Sequence, residues 1–238
     1  QCKANFAHLS EQLDGIGVSA TDIVQKISAF QIAIPSWALG AGGTRFGRFP
    51  YAGEPSNLEQ KLEDVAVLNA LTASANSVSL HFPWDKASDY QVVKEKASTL
   101  GLVFDAVNSN TFQASDYKFG SLSHNSKSIR EMAIDHNLEV VRIGEELGSK
   151  ALTVWLADGS NFPGQNNFQQ ALQHTSDSLK AIYSGMPSDW KMLIEYKPYE
   201  PNFYSTVIPD WGTSYLLATD CGDRAHTLVD LGHHLPNT

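Results

Sequence analysis

Two side chains near the end of the chain are of types that bind divalent metals. Asp230 and His233 stand three residues apart in the run TLVDLGHH, which has the β-branched and apolar character of a buried strand. A carboxylate and an imidazole at the end of a strand can both turn toward one cation. A capped loop with a hydrogen-bonded histidine is the alternative, and the motif alone leaves both open. We expect the adjacent His234 to point away from such a site.

A second carboxylate precedes a lysine by two residues in the run KMLIEYKPYEP. Glu195 and Lys197, as residues i and i+2 of a strand, are expected to face the same side of a sheet. Burying a carboxylate without a partner is costly, so Glu195 needs a metal or another cation nearby. Two hypotheses stay open: a simple Glu195–Lys197 ion pair, or Glu195 on a metal with Lys197 holding a substrate oxygen.

Aromatic side chains accumulate where the predicted strands end. His81 and Trp84 fall in HFPWDK, Trp155 falls in TVWLADGSNFPGQ, and Trp37 closes the first apolar run. Tryptophan faces at the mouth of a pocket suit stacking against a sugar ring, although each tryptophan taken singly is also an ordinary core residue. The glycine-bearing loop of residues 40–51 has neither dinucleotide nor P-loop spacing, and its aromatic residues indicate a lid or a subunit contact.

An alternation of strands and helices must position these side chains. Short β-branched or aromatic runs predict strands at residues 32–38, 77–83, 102–108, 151–156, 192–197 and 227–232. Amphipathic runs between them predict helices, among them one with Leu58, Leu62 and Val65 on a single face and two that end near Gly148 and Gly185. This alternation favours an α/β fold with a parallel sheet and right-handed crossovers.

The distribution of polar residues favours a (β/α)8 TIM barrel over an open, doubly wound sheet. Ionisable residues follow nearly every predicted strand, as they do at the carboxyl face of barrel enzymes, and the first βα turn has no dinucleotide fingerprint. Six strands cannot close an eight-stranded barrel, so we expect an incomplete barrel of about six βα units whose last strands are missing. Residues 1–30 are predicted to form an N-terminal helical segment, and residues 31–238 the partial barrel domain.

Composition narrows the class of protein. The chain has 238 residues, 42% of them hydrophobic, and a net charge of −9. It can bury a sizeable core, and its acidity argues against nucleic-acid partners and against electrostatic attachment to anionic membranes. No apolar run has the length of a membrane span and no signal pattern is present. Two cysteines without a disulfide framework indicate a reducing, cytoplasmic location.

Seven strings along the chain together resemble the L-rhamnose isomerase family of xylose-isomerase-like barrels, in its bacterial type with broad aldose specificity. They are PSWALGAGGTRFGRFP, VSLHFPWDK, FDAVNSNTF, YKFGSLSH, SKALTVWLADGSNFPGQ, DWKMLIEYKPYEPNFYSTV and LVDLGHHLPNT. The resemblance implies a homotetrameric, metal-dependent ketol isomerase that interconverts L-rhamnose and L-rhamnulose and accepts rare sugars such as D-allose. It also implies two divalent sites per subunit, commonly Mn²⁺, with Co²⁺ or Mg²⁺ as alternatives.

The resemblance further implies roles for individual residues. Glu195 and Asp230 match ligands of the structural metal, and His233 matches a ligand of the catalytic metal. Lys197 and His81 match residues that contact the sugar, and with His233 they form the expected catalytic set. A hydrophobic pocket wall is implied for Trp37, Trp84, Phe112 and Trp155.

The remaining ligands of the family follow two further strands, beyond Thr238. Three ligands are too few for a hard cation that prefers about six, so the 238 residues are expected to be inactive and poorly stable by themselves. In the full-length enzyme the cation is expected to polarise the sugar carbonyl at O1 and O2. A hydride shift and an enediol path both stay open.

Other functions are compatible with the same residues. A sugar epimerase, a dehydratase and an abasic-site endonuclease all occur on metal-dependent barrels, and the acidic composition disfavours the last. A degenerate barrel that only binds carbohydrate is a second class. Ketose formation from L-rhamnose separates an isomerase from an epimerase, and metal content separates an enzyme from a binding remnant.

Overall fold

The structure is a computed structural model that describes residues 1–40, 52–198 and 205–234, apart from the side chains of His233 and His234. Its strands are β1 (Ala33–Pro35), β2 (Ser77–Phe82), β3 (Val103–Ser109), β4 (Ala151–Trp155), β5 (Gly159–Ser160), β6 (Lys191–Glu195), β7 (Ser205–Thr206) and β8 (Ala225–Leu228). Its α-helices are α1 (Cys2–Gly15), α2 (Ala20–Ser28), α3 (Leu58–Thr72), α4 (Tyr90–Thr99), α5 (Lys127–Leu147), α6 (Phe168–Gly185), α7 (Trp211–Cys221) and α8 (Leu231–His234).

The described strands form one six-stranded sheet and one small ribbon. The sheet runs in the order β1-β2-β3-β4-β6-β8, and every neighbouring pair is parallel. The ribbon joins β5 and β7 in antiparallel fashion. Because strands adjacent in the sheet are also consecutive along the chain, the carboxyl ends of all six sheet strands meet at one edge. The predicted parallel α/β sheet is confirmed.

Helices pack their apolar faces on this sheet. Leu62 and Val65 of α3 are fully buried, as the helical spacing predicts. Helix α5 ends where Gly148 adopts a positive φ of 91°, a conformation that suits glycine at a helix end. Strand β4 has consecutive buried residues, which is typical of a parallel strand covered on both faces.

The first 30 residues form α1 and α2, neither of which has a buried residue. Ser19 begins α2 by accepting a hydrogen bond from the N–H of Asp22. Among the described residues, no helix combines the length and the apolar character needed to cross a membrane.

The predicted ends of three strands were wrong. Strand β1 covers only residues 33–35, and residues 36–39 form a 3₁₀ turn that carries Trp37. Strand β6 ends at Glu195, two residues before Lys197, so the argument from strand alternation does not relate these two side chains. The last strand of the sheet, β8, spans residues 225–228, whereas residues 227–232 were predicted.

A helix start explains the error at the last strand. Asp230 Oδ1 accepts a hydrogen bond of 2.6 Å from the N–H of Gly232, and α8 begins at Leu231. A short acidic side chain satisfies the free N–H groups of a first helical turn. His233, expected just past the end of a strand that reaches residue 232, therefore lies on a helix that begins after the strand.

Candidate functional site at the carboxyl ends of the strands

Five aromatic rings form one continuous cluster at the carboxyl end of the sheet. The rings of His81 and Trp84 are stacked, with centroids 3.8 Å apart and an interplanar angle of 17°. Trp37 meets the edge of His81 at 5.5 Å. Phe112 lies 5.9 Å from His81, 6.1 Å from Trp84 and 4.8 Å from Trp155, each time edge to face. The structure therefore brings together all five aromatic residues that the sequence proposed for a pocket wall or a sugar contact.

His81 is the polar member of this cluster and is only 7% exposed. Burial lowers the pKa of its imidazole to about 3, helped by the nearby charges of His136 and Lys61. The ring is therefore neutral at neutral pH. Among the described residues, no group forms a hydrogen bond with its buried Nδ1. A neutral imidazole has one donor and one acceptor, so the ring can bind a hydroxyl group within apolar surroundings.

A buried ion pair lies directly behind His81. Asp85 Oδ1 accepts a hydrogen bond of 2.7 Å from Nζ of Lys61, and Oδ2 accepts one of 2.7 Å from the N–H of His81. The hydroxyl of Ser36 donates to the same Oδ2. Lys61 was not predicted as a site residue, although its position on α3, three residues after Leu58 and on the apolar face, indicates a buried lysine that needs an acidic partner.

Two carboxyl groups meet at the opposite end of the aromatic cluster. Trp155 of β4 pairs in register with Glu195 of β6. The carboxyl groups of Glu195 and Asp230 are joined by a hydrogen bond, and the pKa of Glu195 is raised to about 8 by burial first and by the carboxylate of Asp230 second. Two acids in contact favour a shared proton or a bound cation.

Lys197 follows this acid pair, and its side chain is fully buried. Its backbone N–H donates to the carbonyl of Ile208 at 3.2 Å, and its carbonyl accepts from the hydroxyl of Thr206 at 2.7 Å. The segment that contains β7 therefore fixes the backbone of Lys197 beside the carboxyl end of β6.

The acid pair fits part of a metal site. Carboxylate oxygens suit hard divalent cations such as Mn²⁺, which take about six ligands. Among the described residues, no group of three or more His, Cys, Asp or Glu side chains is placed to hold a metal ion. The imidazole of His233, the third predicted ligand, is outside the described side chains, and Phe46, Phe49 and Tyr51 of the predicted lid are outside the described residues.

Another carboxylate, that of Asp158, holds the segment that follows β3 and carries Phe112. Asp158, just after β4, accepts hydrogen bonds from the N–H and the hydroxyl groups of both Ser121 and Ser123, at 2.7 to 3.0 Å. These contacts tie the segment after β3 to the segment after β4, and they thereby support the contact between Phe112 and Trp155. Asp158 was not among the predicted site residues.

A groove of about 1120 Å³ lies between α4 and α5, on the helical layer. Its lining includes Tyr90, Met132 and His136, and none of the predicted site residues. One contact between the groove and the site is Gln113, whose side-chain oxygen accepts from the indole N–H of Trp84 at 2.8 Å. The groove therefore lies beside the aromatic cluster and is lined by other residues.

Two curated relatives match nearly the whole chain. A probable sugar isomerase of Rhizobium meliloti (strain 1021) is 55% identical, and one of Mesorhizobium japonicum (strain LMG 29417 / CECT 9101 / MAFF 303099) is 56% identical. Each match covers 98% of this chain but only 55% of the relative. The chain thus spans about half the length of these relatives. No family model matches it.

Solved structures show the fold. An L-ribulose 3-epimerase has a TM-score of 0.63 at 14% identity, covering 87% of this chain and 62% of the epimerase. A xylose isomerase domain protein from Alicyclobacillus acidocaldarius has a TM-score of 0.56 at 12% identity, covering 76% of this chain and 61% of that protein. Together with the strand order, these likenesses confirm the partial (β/α)8 barrel.

Proposed function

We propose that a full-length protein containing this chain is a metal-dependent aldose–ketose isomerase that acts on L-rhamnose and on rare sugars such as D-allose, and that it assembles as a homotetramer. The observation that carries the proposal is the continuity of the aromatic cluster with the acid pair at one edge of the sheet. The two relatives named as probable sugar isomerases support it.

In this proposal, different residues of the chain bind the sugar and hold the metal. Trp37, Trp84, Phe112 and Trp155 exclude water and stack on the apolar face of the sugar. Neutral His81 exchanges a hydrogen bond with a sugar hydroxyl, and the cation of Lys197 stabilises negative charge that develops on O1. Glu195, Asp230 and His233 would hold Mn²⁺, with Co²⁺ or Mg²⁺ as alternatives. That cation would supply Lewis acidity at the carbonyl.

A sugar epimerase is the second candidate, because solved structures of this fold include L-ribulose 3-epimerase. An epimerase that removes and returns a proton needs acid groups on both faces of the sugar. Glu195 and Asp230 lie close enough for Asp230 to raise the pKa of Glu195, and this arrangement is compatible with either reaction.

The reaction products separate the candidates. The full-length protein, loaded with Mn²⁺, is incubated with L-rhamnose, and ketose is measured colorimetrically and by chromatography. Appearance of L-rhamnulose supports the proposal. An aldose epimer without ketose would establish the epimerase instead. Sugar binding that ignores a chelator, in protein that retains no metal, would leave only a carbohydrate-binding role.

Substitution of one acid tests the metal assignment. We expect Glu195→Gln to lose the rise in melting temperature that Mn²⁺ gives the wild type, and to lose at least about 100-fold in kcat/KM, because a neutral amide is a much poorer ligand for a hard cation. Glu131→Gln, at an exposed position of α5, is the matched control and should behave as wild type. An Mn²⁺-dependent shift that survives in Glu195→Gln would contradict the assignment.

A further inference from the structure

Asp85 is bonded to His81, follows Trp84 in the sequence and is bonded to the residue that precedes Trp37. Its carboxylate accepts from the backbone N–H of His81, and its own N–H donates to the carbonyl of His81 at 2.9 Å. The same carboxylate accepts from Ser36, the residue before Trp37. Trp84 immediately precedes Asp85. The side chain of Asp85 therefore links the end of β1 to the end of β2, close to Trp37, His81 and Trp84.

The two hydrogen bonds between Asp85 and His81 close the turn between these residues. Within that turn Trp84 folds back over the imidazole, which produces the 3.8 Å stack. If the carboxylate oxygen were removed, the N–H of His81 would lose its partner in a buried place. The turn would then be free to change its backbone angles, and the stack would separate.

Stability alone does not explain the charges in this arrangement. The side chains of Lys61 and Asp85 are 1% and 0% exposed. A buried ion pair pays a desolvation cost that its attraction often only balances, and apolar residues of similar volume are frequently as stabilising. What Asp85 adds is a fixed hydrogen-bond acceptor for the turn and for Ser36, while Lys61 neutralises the charge of its buried carboxylate.

We propose that Asp85 is a positioning residue whose side-chain oxygen sets the spacing of Trp37, His81 and Trp84, with Lys61 as the counter-ion of its carboxylate, and that Asp85 thereby determines how tightly the cluster holds a sugar. The proposal rests on the proposed function for the identity of the ligand. The placement of the rings themselves can be measured without any sugar.

Two double variants separate the geometric role from the charge. Lys61→Met with Asp85→Asn removes both charges but keeps a side-chain oxygen for the N–H of His81. Lys61→Met with Asp85→Leu removes both charges and the oxygen. Near-UV circular dichroism of the full-length protein reports the asymmetric packing of the tryptophans, and steady-state kinetics with L-rhamnose gives KM and kcat separately.

We expect the Asn double variant to keep the near-UV spectrum and to stay within about threefold of the wild-type KM. The Leu double variant should lose near-UV intensity and raise KM about tenfold, the scale of one or two lost aromatic contacts, with a smaller change in kcat. A wild-type spectrum and KM in the Leu variant would overturn the proposal. So would equal losses in both double variants, because the charges rather than the oxygen would then be responsible.

Two single variants keep the test decisive if the Leu variant does not fold. Ser36→Ala removes one donor to Asp85 and should raise KM about threefold while the protein stays folded; an unchanged KM would count against the proposal. Ile182→Ala, in the core of α6, lowers stability away from the cluster and should leave KM unchanged. If the wild type makes no ketose, the proposed function fails, and the spectra of the two double variants still decide the positioning role.

Discussion

Acid should destabilise this protein through His81. Its imidazole has a folded-state pKa of about 3 against an ordinary value of 6.5, chiefly because the ring is buried. Below pH 6.5, His81 is therefore protonated in the unfolded chain. In the folded chain it stays neutral until the pH falls to about 3. The contribution is fully present above pH 6.5 and is lost as the pH falls through this window.

The size of the effect follows from the linkage between proton binding and folding. One proton taken up only by the unfolded state costs at most about 1.4 kcal/mol per pH unit. From pH 6.5 to pH 5 the loss attributable to His81 is therefore about 2 kcal/mol. It continues to grow toward the folded-state pKa, where the folded protein also becomes protonated.

Urea unfolding at several pH values measures this loss. His81→Phe keeps a ring to stack on Trp84 but cannot bind a proton, so the free energy of unfolding should fall less between pH 7 and pH 5, by about 2 kcal/mol, than in the wild type. Carboxylates and the other histidines contribute equally to both proteins and cancel. His8→Gln, at an exposed position, should keep the wild-type pH dependence.

The reasoning would be refuted by parallel pH profiles for His81→Phe and the wild type. A direct check is NMR of histidines labelled with ¹³C. The resonance of His81 should not titrate between pH 8 and pH 5, and a midpoint near pH 6.5 would show that the ring is accessible to water. In that case the buried, water-excluding environment assigned to the imidazole in sugar binding would also be wrong.

Two further substitutions test the packing that supports the site. Asp158→Ala leaves the N–H groups of Ser121 and Ser123 without their acceptor and should cost about 2 to 4 kcal/mol in urea unfolding; a cost below about 0.5 kcal/mol would show that the loop is held otherwise. Gly144→Ala would place its Cβ 2.5 Å from Cη2 of Trp190 and should cost about 1 to 3 kcal/mol. Gly164→Ala, where nothing lies within 4 Å, is the matched control and should be nearly neutral by calorimetry.

Patterns repeated over many residues were predicted well. The strands at residues 77–82, 103–109 and 151–155 and the helix that ends at Gly148 lie within two residues of their predicted ends. Each of these strands and helices is predicted from the hydrophobic pattern of many residues, so one unusual residue does not change the prediction. Because the strands are parallel and consecutive, the convergence of residues at their carboxyl ends followed from the element order alone.

Single-residue events were predicted poorly. Asp230 continues the apolar run LVDLG in the sequence, and nothing local distinguishes an acid at a strand end from one that begins a helix. The difference depends on whether the next N–H groups meet a neighbouring strand or a side chain, which is tertiary information. The short helix α8 consequently replaced the last predicted residues of the strand.

Lys61 shows that a long-range partner can still leave a local signal. Sequence reasoning directed attention to charges near strand ends, whereas Lys61 lies on a helix between two buried leucines. The ammonium group of a lysine on an apolar helix face must either reach water or pair with an acid. Because this face of α3 is buried, Lys61 pairs with an acid. The acid that it meets also holds His81, so the exception to the apolar pattern of α3 points directly to the candidate site.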